Sequence, residues 1–515
     1  GTGCEIPQLD PFAKEVMKFD KNYPPVTCSG KDWVKCYLSE CRVVDEILET
    51  TKNITCTYED IIHVSDNMYY FGKYRTVKGN KPYILDASDH VKVHCTGTHQ
   101  KRFNGAIHSI FLSSTWVGYA IGFRKSVTRF HPRPDREDTL NVLIFGFDST
   151  SKNGFIRNMP KSYKHLKDHI KATILNGYNI VGDGTPAALF PILTGKTELE
   201  LPERRKTLSN DTLDSMPFIF YKLANDGYRT AYFEDMPGVG TFQYRFNGFR
   251  RQPADHYLRS FYLELESNNG IKSYCVGDTP QFQLMMNITD QFLRLDGKRF
   301  GLTFIADITH DDSMISVADD AMVNLLQSLE QRNVFEDTLL IVMADHGPRF
   351  AKVRDTLQGK LEERLPLMGI RLPEKFKRMR PNAQAQLEAN ANILTTPHDI
   401  HATILDVLDW SEYMNPFKIK GADFPRAMTL LEPIPKNRSC SEAGIEPHWC
   451  ACVNWKKVTD YEMIHKTVDA FINYINELTS SQSYDRFVSI LLRRTPRVGH
   501  ASDSFVLTSS QRSIT

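Results

Sequence analysis

Four short stretches of this 515-residue chain carry residue types that bind cations and activate hydroxyls. Asp148 follows the apolar run Asn141–Phe147 (NVLIFGF), and Asp307 follows Leu302–Ala306 (LTFIA). Asp345-His346-Gly347 follows Leu339–Ala344 (LLIVMA). The fourth stretch, Gly182-Asp-Gly-Thr185-Pro-Ala-Ala-Leu-Phe-Pro-Ile-Leu-Thr194-Gly195, offers a hydroxyl. Carboxylate oxygens and an imidazole nitrogen suit a divalent metal such as zinc or manganese. Thr185 before Pro186 reads as the N-cap and first residue of a helix. The field and free N–H groups at that end favour an anion such as phosphate. A metal on the hydroxyl would lower its pKa and make it a nucleophile. Each residue also has a plain reading: strand-end aspartates cap helices and turns, and Thr185 caps its helix. Pro191 is expected to break or kink that helix within two turns.

The elements that must position these groups are legible as a pattern. The three apolar runs are nearly continuous, as in strands buried on both faces of a parallel sheet. Between the last two, Val317, Ala321, Leu325 and Leu329 recur at helical spacing within Ser316–Gln331. Thr212–Ala224, Gly227 and Thr230–Phe233 repeat a helix–Gly–strand theme. Alternation of this kind predicts an α/β domain over 138–430, with a mostly parallel central sheet flanked by helices. Ligands then belong beyond the carboxyl ends of the strands. Residues 1–135 read as a Cys-rich, β-rich N-terminal domain, with strands near Val91–His94 and Trp116–Phe123 and a linker at His131–Asp135. Residues 435–515 read as a small disulfide-containing α+β region, with a helix at Tyr461–Leu478 and a strand at Arg486–Leu492. Phe246-Asn-Gly-Phe-Arg-Arg251 reads as a solvated loop, with a groove for a glycan or anionic head group as the alternative.

Ten cysteines favour disulfides and a secretory compartment. Six early and four later cysteines suggest pairing within each group, Cys275 joining the late three, though spacing does not give the connectivity. Cys450-x-Cys452 is too tight for the usual zinc half-site. Sequons at Asn53, Asn210, Asn287 and Asn437 point to glycosylation and the same compartment. The opening Gly-Thr-Gly-Cys suggests a secreted protein, or a lumenal or extracellular ectodomain whose signal or membrane anchor lies outside this text. A net charge of +1 argues against non-specific nucleic-acid binding.

In order and spacing, these pieces resemble the alkaline-phosphatase-like superfamily, most closely its sulfatase-like branch. That branch includes sulfatases, lipoteichoic-acid synthases and phosphoethanolamine transferases. Leu361–Leu367 (LEERLPL) and Asp399-Ile-His-Ala-Thr403-Ile-Leu-Asp406 are similar to stretches those enzymes carry. Residues 138–410, with Asn141–Pro160 and Thr309-His-Asp-Asp312 among them, resemble an animal family, chiefly invertebrate, of sulfatase-like ectodomains. The resemblance implies one metal on Asp148, Thr185, Asp345 and His346, and a covalent phospho-Thr185. It implies that His310 binds substrate, protonating a leaving oxygen or holding a non-bridging one. It lets Arg349 clamp an anion. A second metal site, as in two-zinc members, would draw on Asp307, His310, His398 and His401. In this reading His398 is a loop residue and His401 a helix residue near the rim. Asp307 and His310 stand three apart where the nucleotide pyrophosphatase branch has four. Thr185-Pro-Ala-Ala-Leu189 lacks the Cys/Ser-x-Pro-x-Arg context of formylglycine sulfatases, so that chemistry is not expected. The implied activity is a metal-dependent phosphodiesterase or phospho-head-group transferase. Its substrate would be an anionic glycan, lipid or small phosphodiester. A non-catalytic surface binding protein on the same scaffold is the alternative.

Overall fold

The computed structural model describes residues 3–102, 109–127, 136, 138–311, 313–453 and 458–481. Its central sheet has seven strands, in the order Thr173–Ile174, Met368–Arg371, Thr338–Ala344, Asn141–Phe147, Arg299–Ile305, Arg229–Glu234 and His256–Tyr257. Neighbours from Thr338–Ala344 to His256–Tyr257 are parallel, and Met368–Arg371 runs antiparallel to both strands beside it. The sheet is mixed and mostly parallel. Every residue of Asn141–Phe147 and Thr338–Ala344 is buried. Val142 and Ile144 pack into one hydrophobic core, while Leu143, Phe145 and Phe147 pack into another. That is the period-two alternation of a strand covered on two sides. Helices Gly184–Thr194, Ile219–Asn225 and Pro397–Val407 supply the first core, and Gln281–Phe292 and Asp319–Gln331 the second.

Register decides where the chemistry stands. Phe147 pairs with Ala344 on one side and Ile305 on the other. The three strands therefore end level, and Asp148, Asp345 and Ala306 emerge side by side at one rim.

Two helices depart from expectation. Thr212–Ala224 is not one helix: a 3-10 turn at Leu213–Ser215 is followed by an α-helix at Ile219–Asn225. Pro217 lies between them, lacking the N–H a continuous helix needs. Gly184–Thr194, by contrast, runs through Pro191 without ending there. Nine of its eleven residues are buried, so tertiary packing outweighs the proline penalty. It stops at Gly195, whose φ of 73° only glycine adopts cheaply.

The N-terminal part contains two antiparallel sheets. Met68–Phe71, Lys52–Ser65, His90–Arg102 and Ser109–Ile121 lie in that order, with Arg75–Lys78 also paired to Lys52–Ser65. Val34–Tyr37, Glu40–Val43 and Tyr83–Ile84 form the smaller one. Ile61, Ile121 and Phe123 enter the second core of the α/β part. Residues up to Val453 accordingly form one compact unit. Residues from 454 form another, which contains the helix Tyr461–Ser481. The linker, the 486–492 strand and Asp312 lie outside the described residues.

All ten cysteines pair. Cys36–Cys41, Cys56–Cys95 and Cys440–Cys450 are local, but Cys4–Cys452 and Cys28–Cys275 join the early and later groups. Group-by-group pairing is thus wrong in two bonds, because the extended N-terminal segment runs along the α/β part. No described helix is long and apolar enough to cross a membrane.

Candidate active site

The turn after Phe147 is shaped to meet the neighbouring strand. Ser149 adopts a left-handed φ of 54°, and its N–H donates to Asp345 Oδ1 at 3.0 Å. The His346 N–H donates to the same oxygen at 2.9 Å. Asp345 Oδ2 accepts from Thr185 Oγ1 at 2.7 Å. Thr185 is not an N-cap. Asp183 holds that place and Thr185 lies in the first helical turn, its hydroxyl directed to Asp345 and partly accessible.

His346 Nδ1 stands 2.8 Å from the Gly347 carbonyl, which can only accept, so Nδ1 carries the proton. Nε2 is left with its lone pair, 3.1 Å from Asp345 Oδ2 and 3.8 Å from Asp148 Oδ1. Gly347 allows this through close approach: a Cβ there would lie 2.3 Å from the Glu362 carbonyl. Asp148, Asp345 and His346 offer ligand atoms that all lie within 4.8 Å of one another. Three buried donors, two of them carboxylates, fit a divalent cation, which would offset their mutual repulsion. Without one, burial pushes Asp345 up to about 7. Asp148 is also buried, but hydrogen bonding, that from His310 foremost, outweighs burial and holds it below its ordinary value.

His310 Nδ1 lies 2.7 Å from Asp148 Oδ2, and this bond raises the imidazole above its usual range. Arg349 pairs with Asp183, which also accepts from Arg245 Nη2 at 3.2 Å. A Cβ on Gly184 would lie 2.4 Å from Arg245 Nη2 and 3.4 Å from Arg349 Nη1. Two guanidiniums therefore flank the start of the Thr185 helix. Arg245 carried no local sequence signal, and only the tertiary fold places it here. Beside the cluster lies a cavity of about 420 Å3 whose lining includes Ser149, Thr309 and Phe350.

The second candidate set does not come together. Asp307, His310, His398 and His401 form no metal-like group among the described residues. Asp307 lies against Asp235, which accepts from the Ala306 and Asp307 N–H groups. Burial raises Asp307 to about 6, and burial with the Asp307 charge raises Asp235 well above its ordinary value. His398 is helical, not in a loop. His401 Nδ1 bonds the Ile192 carbonyl at 2.7 Å, roughly 10 Å along the helix from Thr185 at 1.5 Å per residue. Asp399 is a framework residue: it completes a capping box with Thr396 and pairs with buried Arg438 at 2.7 Å. Glu362 of the LEERLPL stretch ties down the Asp148 loop through Ser151 and Arg157. Phe246 and Phe249 belong to the core, not to a groove. The four sequon asparagines are exposed.

The chain is similar to several solved structures. One is an alkaline phosphatase superfamily protein from Vibrio parahaemolyticus, at 13% identity and a TM-score of 0.38, covering 58% of this chain and 71% of that one. Another is the lipoteichoic acid synthase LtaP from Listeria monocytogenes, at 13% identity and a TM-score of 0.37, covering 57% and 75%. A third is the C-terminal periplasmic domain of EcEptC from Escherichia coli, at 11% identity and a TM-score of 0.38, covering 60% and 91%. Comparison with curated proteins gives no significant match. The model of a family described as "Protein of unknown function (DUF229)" matches residues 14–489, and the chain belongs to that family.

Proposed function

We propose that this protein is a phosphoryl-transfer enzyme of the alkaline-phosphatase type, hydrolysing a phosphodiester or moving a phospho-head-group through a covalent phospho-Thr185. The observation that carries this reading is the Thr185 hydroxyl held 2.7 Å from Asp345 within the Asp148/Asp345/His346 group. Asp148, Asp345 and His346, with the Thr185 oxygen, would hold one zinc or manganese ion. Bound there, the ion supplies a lowered hydroxyl pKa and neutralises charge on the phosphoryl oxygens. Thr185 Oγ1 passes its proton to Asp345 Oδ2, its hydrogen-bond partner at 2.7 Å, and attacks phosphorus while the bond to the leaving oxygen breaks. His310, raised by Asp148, protonates that oxygen from its second ring nitrogen. Water or an acceptor alcohol then attacks phosphorus, giving its proton back to His310, and the departing Thr185 oxygen recovers its own proton from Asp345. Arg349 and Arg245 hold the non-bridging oxygens once substrate replaces Asp183 as their partner. Five disulfides and four exposed sequons support a glycosylated protein of an oxidising, extracellular or lumenal compartment.

The test pairs elemental analysis with turnover of bis(p-nitrophenyl) phosphate. About one zinc or manganese per chain is expected, lost in Asp345→Asn, with turnover abolished in Thr185→Ala. A protein that takes up no metal even after zinc or manganese is added overturns the enzyme reading in favour of a binding scaffold.

A further inference from the structure

The cavity beside the reacting groups has two walls of different origin. One is the rim itself. Ser149 follows Asp148, Thr309 and Asp311 flank His310, and Phe350 follows Arg349. The other is the N-terminal segment from Val16 to Tyr23. That segment is held in place. The backbone carbonyls of Leu9, Asp10 and Pro11 accept from Asn153, Gln358 and Arg157 at 3.3, 2.6 and 2.8 Å. Beyond it, Cys28 is bonded to Cys275. The strap is thus fixed on both sides of the stretch that crosses the cavity.

The position of the cavity assigns it a part in the reaction. Its lining residue Phe350 has its ring 6.3 Å from that of His310, which faces the leaving or accepting alcohol in the reading above, so this inference rests on that reading. Its volume of about 420 Å3 lies in the range of roughly 300–1,000 Å3 typical of small-molecule sites. The lining says what kind of alcohol fits. Phe19, Tyr23 and Phe350 line it, Phe350 with 72% of its surface exposed although Arg349 lies over its ring at 5.1 Å. Asp20 and Asp311 offer acceptors for hydroxyl groups, and Lys18, Lys21 and Lys352 offer positive charge. An acyl chain would strip water from these charges and give nothing back. A polyhydroxylated ring stacks on aromatic faces, satisfies the carboxylates through its hydroxyls and keeps an anionic substituent near the lysines.

We propose that this strap-covered cavity is the subsite for the alcohol portion of the phosphoester, and that this portion is a saccharide. Binding to the Thr185→Ala protein tests the idea without turnover, by calorimetry with glucose 6-phosphate, n-hexyl phosphate and inorganic phosphate. Glucose 6-phosphate is expected to bind about tenfold tighter than the other two. That preference should fall to about threefold or less when Lys21→Ala and Phe350→Ala are added. Hexyl phosphate binding as tightly as glucose 6-phosphate overturns the saccharide assignment. Equal binding of glucose 6-phosphate and inorganic phosphate overturns the subsite while leaving the phosphoester reading intact. Failure of all three to bind removes that reading, and the subsite with it.

Discussion

Asp183 answers two guanidiniums at once, and in the proposed reaction it holds the place that substrate would take. Arg349 and Arg245 both bond its carboxylate and both border Gly184. A phosphoester at Thr185 would take over this pairing. Charge-assisted bonds contribute about 1.5–3 kcal/mol each. Arg349→Ala or Arg245→Ala should therefore raise KM for an anionic ester roughly ten- to hundredfold, measured in steady-state assays. A different residue contributes to the pH dependence of stability. Burial, reinforced by Arg426, lowers His398 to about 3. The unfolded chain regains protons near pH 6.5, whereas the folded one stays neutral, so His398 lowers stability as pH falls from 6.5 towards 3. Relative to His398→Gln, the natural protein should lose about 1.4 kcal/mol per pH unit below 6.5. Denaturant titrations of both proteins at pH 7.0 and 5.5 read that difference directly.

At the scale of elements, Gly347 sits where a strand end meets a helix. A side chain there meets the backbone of Leu357–Arg364, which cannot move without releasing Glu362 from Ser151 and Arg157. Gly347→Ala should cost about 1–3 kcal/mol in stability and lower metal content, by denaturation and elemental analysis. The strand ends were legible because strands buried on both faces leave long apolar runs that stop at polar residues. Asp148, Asp345 and His346 follow from that signal. Their meeting depends on register, with Phe147 opposite both Ala344 and Ile305, which periodicity does not encode. His401 looked chemical by residue type, but its helix turns it towards the Ile192 carbonyl. Arg245 was invisible for the opposite reason. It lies outside any motif and arrives from a loop that closes over the Thr185 helix.

Across the whole molecule, buried polar contacts fasten the N-terminal sheets to the α/β part. Glu264 is buried and accepts from Tyr69, Lys92 and Tyr119. Asp66 accepts from Gln243 and Tyr257, and Asp89 lies 2.9 Å from His256 Nδ1. Opening that junction would break these bonds together and expose Ile61, Ile121 and Phe123, which share the second core, so the two parts should melt together. The Cys28–Cys275 bond adds covalent closure across 247 residues. Replacing both cysteines by serine should remove about 2–5 kcal/mol, seen as a lower but still single calorimetric transition.

The same closure sets an order of events while the chain is being made. Cys28 has no partner until residue 275 has been added, 247 residues later, and Cys4 none until residue 452, a separation of 448. At roughly 5–20 residues per second these waits are on the order of 12–50 s and 22–90 s. Cys36, Cys41, Cys56 and Cys95 all emerge within that time. A thiol kept waiting among these is a candidate for trapping by the wrong neighbour, so yield should depend on an isomerase more than the finished protein's stability would suggest.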